Sequence, residues 1–338
     1  MSFIESAINS LVKNEDLTYE MAKGTMDEIM KGEASDIQIS SYLTALSIKG
    51  ESIQDITASA TSLRENGTKL DTNCSTFEIV GTGGDGSDSF NISTVSSIVI
   101  ASSGVKVTKH GNRAASSKCG AADVLEALGV KIDLEPEESL KVLNEINIAF
   151  LFAQKYHSSM RFVAPVRAEL AIPTIFNILG PLANPAAADI EIMGVYSEDL
   201  VKPLAITLKN LGVKKAMVVY GQDKIDEISI SAPTTVCEVN GDEVLEYEIN
   251  PEDYGMELAS KEDIKGGDPK ENAEIALNIL KGEKGPKRDV VLLNSGAGLY
   301  FTGKANSIEE GIEYAKELID SGKALEQLEK FIECSNKF

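Results

Sequence analysis

Three glycines, Gly81, Gly83 and Gly86, stand in G-x-G-x-x-G spacing within FEIVGTGGDGSDSFNIST, residues 77–94. The apolar run FEIV before them reads as a strand, so they fall at a turn whose bare backbone N–H groups suit an anion. A dinucleotide fingerprint asks for more: a helix opening at the loop, and an acidic residue about 20 positions on to meet a ribose. Here the chain continues through SDSFN before helical character begins at Ile92, and the next strand ends in KHGNR, residues 109–113. That tip is cationic where a ribose would want a carboxylate. A Walker loop is set aside because no G-x-x-x-x-G-K-[ST] occurs. What the residues favour is another kind of phosphate site, with an anion nest at 81–86 and helix N-terminal donors near Asn91–Thr94. Lys109 and Arg113 supply charge, and Ser116, Ser117 and Lys118 open a further helix. Consecutive strand ends of an open α/β sheet bring such loops to one edge. The opposing reading, ordinary βα turns using glycine for positive φ, suits any one loop better than all three together.

Elsewhere the residues leave their roles open. Asp226 and Glu227 are adjacent acids in QDKIDEIS; in an acidic chain such a pair is ordinarily solvated surface. On spacing alone, Arg167 in APVRAEL is a helix-surface arginine. The two histidines are His110 and His157. No serine–histidine–acid triad, thiolate nucleophile or metal-binding histidine pair competes for the chemistry.

The elements that position these residues fall into two textures. Residues 1 to about 66 carry helical spacing, broken at Gly32, Gly50 and Gly67. From Phe77 the pattern alternates. FEIV, VKVTK (105–109), IAFLFA (148–153), EIMGVY (191–196), KAMVVY (215–220) and DVVLL (289–293) read as short buried strands. Helical stretches at Ser116–Leu128, Pro136–Asn147 and Leu200–Leu211 separate them, which predicts a largely parallel sheet with helices on both faces. Asn240-Gly241 signals a hairpin, and the C-terminal stretch reads as two or three helices.

At 338 residues, 43% hydrophobic, the chain has ample core for two domains. The net charge of −21, from 53 acidic and 32 basic side chains, disfavours nucleic acid and anionic membrane as partners. Four scattered cysteines without C-x-x-C fit reduced thiols. With no signal-peptide pattern and no apolar run near the ~18–20 residues that span a bilayer, a soluble, cytoplasmic protein is expected.

Taken together, GTGGDGSDSFNIST, VTKHGNRAASSKCGAADVLEALGV, FNILGPLANP and DEIS resemble the anthranilate phosphoribosyltransferase family, in order and over essentially the whole chain. The resemblance implies an α/β fold of the nucleoside phosphorylase/phosphoribosyltransferase type. A small all-helical domain, residues 1–70, is completed by an insertion near 165–185. A large α/β domain, 71–338, has a mainly parallel central sheet. The active site lies in the cleft between them, and homodimers form through the small domain. The implied reaction joins anthranilate to phosphoribosyl pyrophosphate (PRPP) in tryptophan biosynthesis, with release of pyrophosphate.

The resemblance also assigns roles residue by residue. Gly81, Gly84, Asp85, Ser89, Asn91, Ile92, Ser93 and Thr94 line the PRPP site. So do Lys109, His110, Gly111, Asn112, Arg113, Ala114, Ala115, Ser116, Ser117 and Ala121. Anthranilate meets Gly81, His110, Asn112, His157, Arg167 and Pro181, with Arg167 the partner of its carboxylate. Ser93, Asp226 and Glu227 resemble ligands of magnesium, two ions per subunit. No covalent or general-base catalyst is implied. The sequence departs from the family pattern at Ala171 and Lys224, where glycine is common, and at Pro173, where arginine is. Other departures are Ser89 for threonine, Ser158-Ser159 for proline–alanine, and Cys119 for serine. A pyrimidine nucleoside phosphorylase on the same fold is the second enzymatic reading. A nucleic-acid-binding relative is the third class, and the net charge opposes it.

Overall fold

Four serine or threonine side chains start the chain's first four helices. In the computed structural model, which describes residues 1–114 and 117–338, these are α1 (Phe3–Val12), α2 (Tyr19–Met30), α3 (Asp36–Lys49) and α4 (Ile53–Asn66). Ser2, Thr18, Ser35 and Ser52 each accept a hydrogen bond from a backbone N–H of the first turn, satisfying donors that the helix itself leaves orphaned. The buried faces of these helices, including Ile4, Met26, Leu43 and Ile56, form one core with Val166 and Phe176 from much later in the chain.

Beyond them the chain alternates. In order come β1 (Phe77–Gly81), α5 (Ile92–Ala101), β2 (Val107–Gly111), α6 (Ala121–Ala127), α7 (Pro136–Ile146), β3 (Ile148–Phe152) and α8 (Ala153–Tyr156). Next are α9 (Ala164–Leu170), α10 (Phe176–Leu182), β4 (Ile190–Gly194), α11 (Val201–Asn210) and β5 (Lys215–Gly221). The hairpin β6 (Thr234–Asn240) and β7 (Glu243–Ile249) follows, then α12 (Pro269–Leu280), α13 (Pro286–Phe301), α14 (Ile308–Asp320) and α15 (Lys323–Ser335). The strands form one sheet in the order β3-β2-β1-β4-β5-β6-β7. The first five run parallel, and the Asn240-Gly241 hairpin adds two antiparallel strands at one edge.

The chain thus works outward from β1 in one direction, then returns to place β4 on its other side. That reversal is a topological switch point, and open α/β sheets bind ligands outside the carboxyl ends of the strands there. Gly81 and Gly194, the last residues of β1 and β4, are register partners at that spot.

Two expected elements differ. DVVLL is not a strand but the interior of α13, which begins at Pro286 and is buried on nearly every side, from Val290 through Leu293 to Ala297. A helix with no solvent face has no amphipathic period, so its apolar run imitates a buried strand. The helix expected from Ser116 begins at Ala121 instead, because Gly120 takes an extended backbone there and Asp123 accepts its N–H. Ser117 and Lys118 therefore belong to the loop; Ser116, with Ala115, lies outside the described residues.

Both positions that depart from the family's glycine carry positive φ. Ala171, which ends α9, has φ of 50°, and Lys224 has φ of 74°. A Cβ in this left-handed region meets the following carbonyl, and only glycine escapes that cost. Ala171→Gly and Lys224→Gly are each expected to stabilise the fold by about 1 kcal/mol, read as a higher urea midpoint. An unchanged or lower midpoint would mean that the backbone relaxes around these residues.

Candidate active site

Asp226 lies across the ends of β1 and β4. A Cβ on Gly81 would strike its carboxylate, and one on Gly194 would strike its carbonyl, so this crossing requires glycine at both strand ends. The Asp226 carboxylate accepts the Gly83 N–H at 2.7 Å, and its own N–H donates to Asp85 at 3.4 Å. Next to it, Glu227 accepts the Ser93 N–H at 3.1 Å, in the first turn of α5. The glycine loop and the helix start are anion-binding donors, and here two carboxylates hold them. Asn294 of α13 braces the chain just beyond: it accepts from Ile228 N–H at 3.1 Å and donates to Ile228 O at 2.9 Å.

Both acids are 8% exposed. Burial, and then the Asp85 charge, push Asp226 up to about 7. Burial, and then Asp226 itself, push Glu227 up to about 8. Crowded like charges in a desolvated place are a demand for a cation. No three His, Cys, Asp or Glu among the described residues converge to hold a metal by themselves. Magnesium needs no such cage, since it takes one or two carboxylates and completes its shell with water and substrate phosphate oxygens. Asp226 and Glu227, hard oxygen donors beside phosphate-type N–H groups, fit that pattern.

Lys109 is not a solvated tip. It is 3% exposed inside β2; burial lowers its pKa, while Glu78, Glu227, Asp226 and Glu191 pull it back up. Glu78 of β1, raised by burial to about 7, accepts the His110 N–H at 2.8 Å and Asn184 Nδ2 at 2.5 Å. Glu191, its register partner on β4, is fully buried and raised well above the usual carboxylate range, by burial and then by Glu78.

His110 and His157 meet edge to face, with ring centroids 5.2 Å apart. His157 Nε2–H donates to the Ala183 carbonyl at 2.9 Å, which leaves Nδ1 as a free lone pair. His157 Nδ1 and His110 Nε2 are buried without partners among the described residues, and burial lowers both pKa values, so the rings are neutral near pH 7. Pro181 is buried in α10 beside Gly180, whose carbonyl faces His110. Arg167 of α9 is half-buried, with its guanidinium 5.4 Å from the centre of the Phe176 ring. No carboxylate among the described residues pairs with it.

The remaining residues divide. Gly84 has φ of 77° and faces open space. Ser89, Ser117, Cys119 and Asn272 line one narrow cleft of about 10 Å³ between the first loop and the β2–α6 connection. Ile92 and Thr94 are buried in the first turn of α5. Gly111 and Ala121 face each other closely, and a Cβ on Gly111 would press on the Ala121 methyl and the Phe150 ring, each at 3.0 Å. Asn112 accepts from Arg113 N–H at 2.8 Å and from Gln154 at 3.3 Å. Arg113 is not brought to the glycine loop: its guanidinium bonds Asp123 at 3.0 Å and Glu126 at 2.8 Å on α6. Sequence reasoning missed Glu78, Asn184, Gly194, Asn272 and Asn294. Only Gly194 left a trace, as a glycine ending an apolar strand like Gly81; the others are ordinary polar residues until the fold buries them.

The switch-point loops and the helical unit define a two-part α/β transferase, and comparison with known proteins agrees. Residues 73–325 match the family model described as glycosyl transferase family, a/b domain, and residues 5–67 match the corresponding helical bundle domain. Anthranilate phosphoribosyltransferase from Methanobrevibacter smithii is 62% identical over 333 residues, 98% of this chain and 99% of that one. The enzyme of the same name from Lachnoclostridium phytofermentans is 56% identical over 99% of both chains. The crystal structure of the Thermus thermophilus enzyme superposes with a TM-score of 0.93 at 42% identity, over 99% of this chain and 100% of that one. The Saccharomyces cerevisiae enzyme in complex with PRPP and Mg gives 0.91 at 28% identity, over 99% and 98%. The chain belongs to the anthranilate phosphoribosyltransferases of the glycosyl transferase family.

The raised carboxyls carry a pH signature. Their folded values lie above their unfolded ones, so the cost of ionising them is absent below about pH 4 and complete once pH passes about 8. Glu227→Gln, an isostere of the neutral acid, is expected to raise the melting temperature at about pH 8.5 and leave it nearly unchanged at about pH 5. An equal gain at both values would show that Glu227 is ionised throughout.

Proposed function

We propose that the chain transfers the phosphoribosyl group of PRPP to the amine of anthranilate and releases pyrophosphate, a step of tryptophan biosynthesis. The observation that carries this reading is the acid pair Asp226–Glu227 lodged on the Gly83 and Ser93 N–H groups at the sheet's switch point. A diphosphate–magnesium unit matches that arrangement on both sides: oxygens for the N–H donors, and a cation for the acids. Asp226, Glu227 and Ser93 would hold magnesium, two ions per subunit, which would supply positive charge to the leaving diphosphate.

We assign the sugar-phosphate of PRPP to Gly81, Gly84, Asp85 and Ser89. Its remaining contacts we assign to Asn91–Thr94 at the start of α5 and to the stretch from Lys109 to Ser117 with Ala121, in which the Arg113 guanidinium is turned away onto α6. Arg167, without a carboxylate partner of its own, takes the carboxylate of anthranilate; His110, Asn112, His157 and Pro181 bound the ring. The aromatic amine is neutral near pH 7 and attacks C1 of the ribose without prior deprotonation. Positioning and charge stabilisation therefore carry the step through an oxocarbenium-like state, and no covalent intermediate is needed.

We assign residues 1–70 with the α9–α10 segment to a small domain, and 71–338 to the phosphoribosyl-binding domain. A homodimer through the small domain is supported by Val12, Ile37 and Ile48, which are 75%, 79% and 83% exposed on α1 and α3. No described helix is long and apolar enough to cross a membrane. The free cysteines support a cytoplasmic setting.

Loss of anthranilate fluorescence on adding PRPP and Mg²⁺, blocked by EDTA, tests the reaction. Absence of loss despite PRPP binding would move the acceptor to another nucleophile. Arg167→Ala removes a charge-assisted contact of about 1.5–3 kcal/mol. KM for anthranilate should therefore rise roughly ten- to hundred-fold, with little change for PRPP. Equal loss for both substrates would make Arg167 structural.

A further inference from the structure

The connection between β2 and α6 leaves and returns at a single carboxylate. Asp123 accepts the Ala114 N–H at 2.8 Å and the Gly120 N–H at 2.9 Å through the same oxygen. Its other oxygen accepts from the Arg113 guanidinium at 3.0 Å. The two limbs lie so close that a Cβ on Gly120 would strike the Ala114 nitrogen and the Arg113 carbonyl carbon. Glycine at 120 and a short acid at 123 are thus the geometric conditions for the connection to close on itself.

A second anchor holds the returning limb. Asn91, at the start of α5, donates to the Cys119 carbonyl at 3.1 Å. Its Oδ1 accepts from Asn272 of α12 at 3.0 Å. The Asn91 amide is therefore occupied in framing the connection against the glycine loop. Burial raises the Asp123 carboxyl, but the Ala114 and Gly120 donors and the Arg113 guanidinium outweigh it and hold the acid below its usual range. The carboxylate stays charged, and so keeps its three donors, throughout neutral pH. Arg113, spent on Asp123 and Glu126, lines a separate cleft of about 440 Å³ with Lys131 and Phe152.

We propose that Asp123 is a positioning residue: by clamping both limbs of the β2–α6 connection it presets the loop that grips the phosphates of PRPP, while touching no substrate itself. This rests on the phosphoribosyl transfer proposed above. The clamp restricts the loop before binding, so removing it lowers the fraction of protein competent for PRPP and raises the apparent dissociation constant in proportion. Of the groups assigned to anthranilate, Gly81, His157, Arg167 and Pro181 lie on other elements, while His110 lies at the end of β2 and Asn112 opens this connection, so anthranilate binding changes less than PRPP binding.

The test measures kinetics, PRPP binding by calorimetry and melting temperature for the wild type, Asp123→Ala and Asp123→Asn. In Asp123→Ala the KM and dissociation constant for PRPP are expected to rise roughly tenfold or more. The kcat should hold, and the KM for anthranilate should change severalfold less than that for PRPP. The melting temperature should fall by a few degrees as the three donors lose their acceptor. Asp123→Asn keeps the size and one accepting oxygen but gives up the charge facing Arg113, so it falls between the two. If Asp123→Ala does not fold, Asp123→Asn alone decides, and an unchanged PRPP constant there overturns the proposal. Parallel losses for both substrates would reduce Asp123 to a helix cap and overturn it too. A wild type that binds PRPP but leaves anthranilate untouched contradicts the proposed reaction, while the PRPP constants still test the clamp.

Discussion

Everything at the site depends on Asp226 being able to cross two strand ends where no side chain intervenes. Gly81 and Gly194 pair at the carboxyl ends of β1 and β4, and the space where their Cβ atoms would lie belongs to Asp226. From that crossing the rest follows. Asp226 reaches the glycine loop, Glu227 reaches the first turn of α5, and Asn294 pins the backbone beyond them. The switch point of the sheet supplies the donors, and the chain fills them with its own acids. The free protein so holds two desolvated carboxyls whose repulsion favours the arrival of a cation.

A second layer of charge lies beneath. Lys109, Glu78 and Glu191 are buried on adjacent strands of the sheet, and the half-buried Arg64 of α4 lends its charge to both acids. Arg64 spends its guanidinium on the Leu182 and Leu211 carbonyls. Burying an ion costs several kcal/mol unless it is paired, so this set makes sense only as a unit. Glu78 ties the end of β2 to Asn184, and Asn184 also bonds the Thr108 carbonyl at 2.9 Å. A lysine buried inside a sheet is held by such neighbours in one position, at the expense of the rotamer freedom a surface lysine keeps.

Much of this was legible in the sequence, for physical reasons. The helical spacing of the first 66 residues, the Asn240-Gly241 hairpin and the β-strand runs other than DVVLL are local signals, and the structure follows them. The glycine loop was legible because positive φ restricts residue choice: Gly83, Gly84 and Gly86 all take it. DVVLL was misread because complete burial erases periodicity. The charge of Lys109 was legible but its burial was not, because burial is a property of the sheet and not of the residue. Arg113 looked available because nothing local announces that Asp123 and Glu126, ten and thirteen residues on, turn it onto α6. Glu78, Asn184 and Asn272 act between distant segments, and a single sequence carries no sign of that pairing.

The central claim is that Asp226 and Glu227 are partly protonated at neutral pH because they wait for a cation bound to diphosphate. The direct test is calorimetry of magnesium pyrophosphate binding at pH 7, in two buffers of different ionisation enthalpy. With carboxyls near 7 and 8, binding should release about one proton per site, falling toward none near pH 9. No proton release at pH 7 would mean that the acids are already ionised in the free protein or do not meet the ligand, and the account would fail.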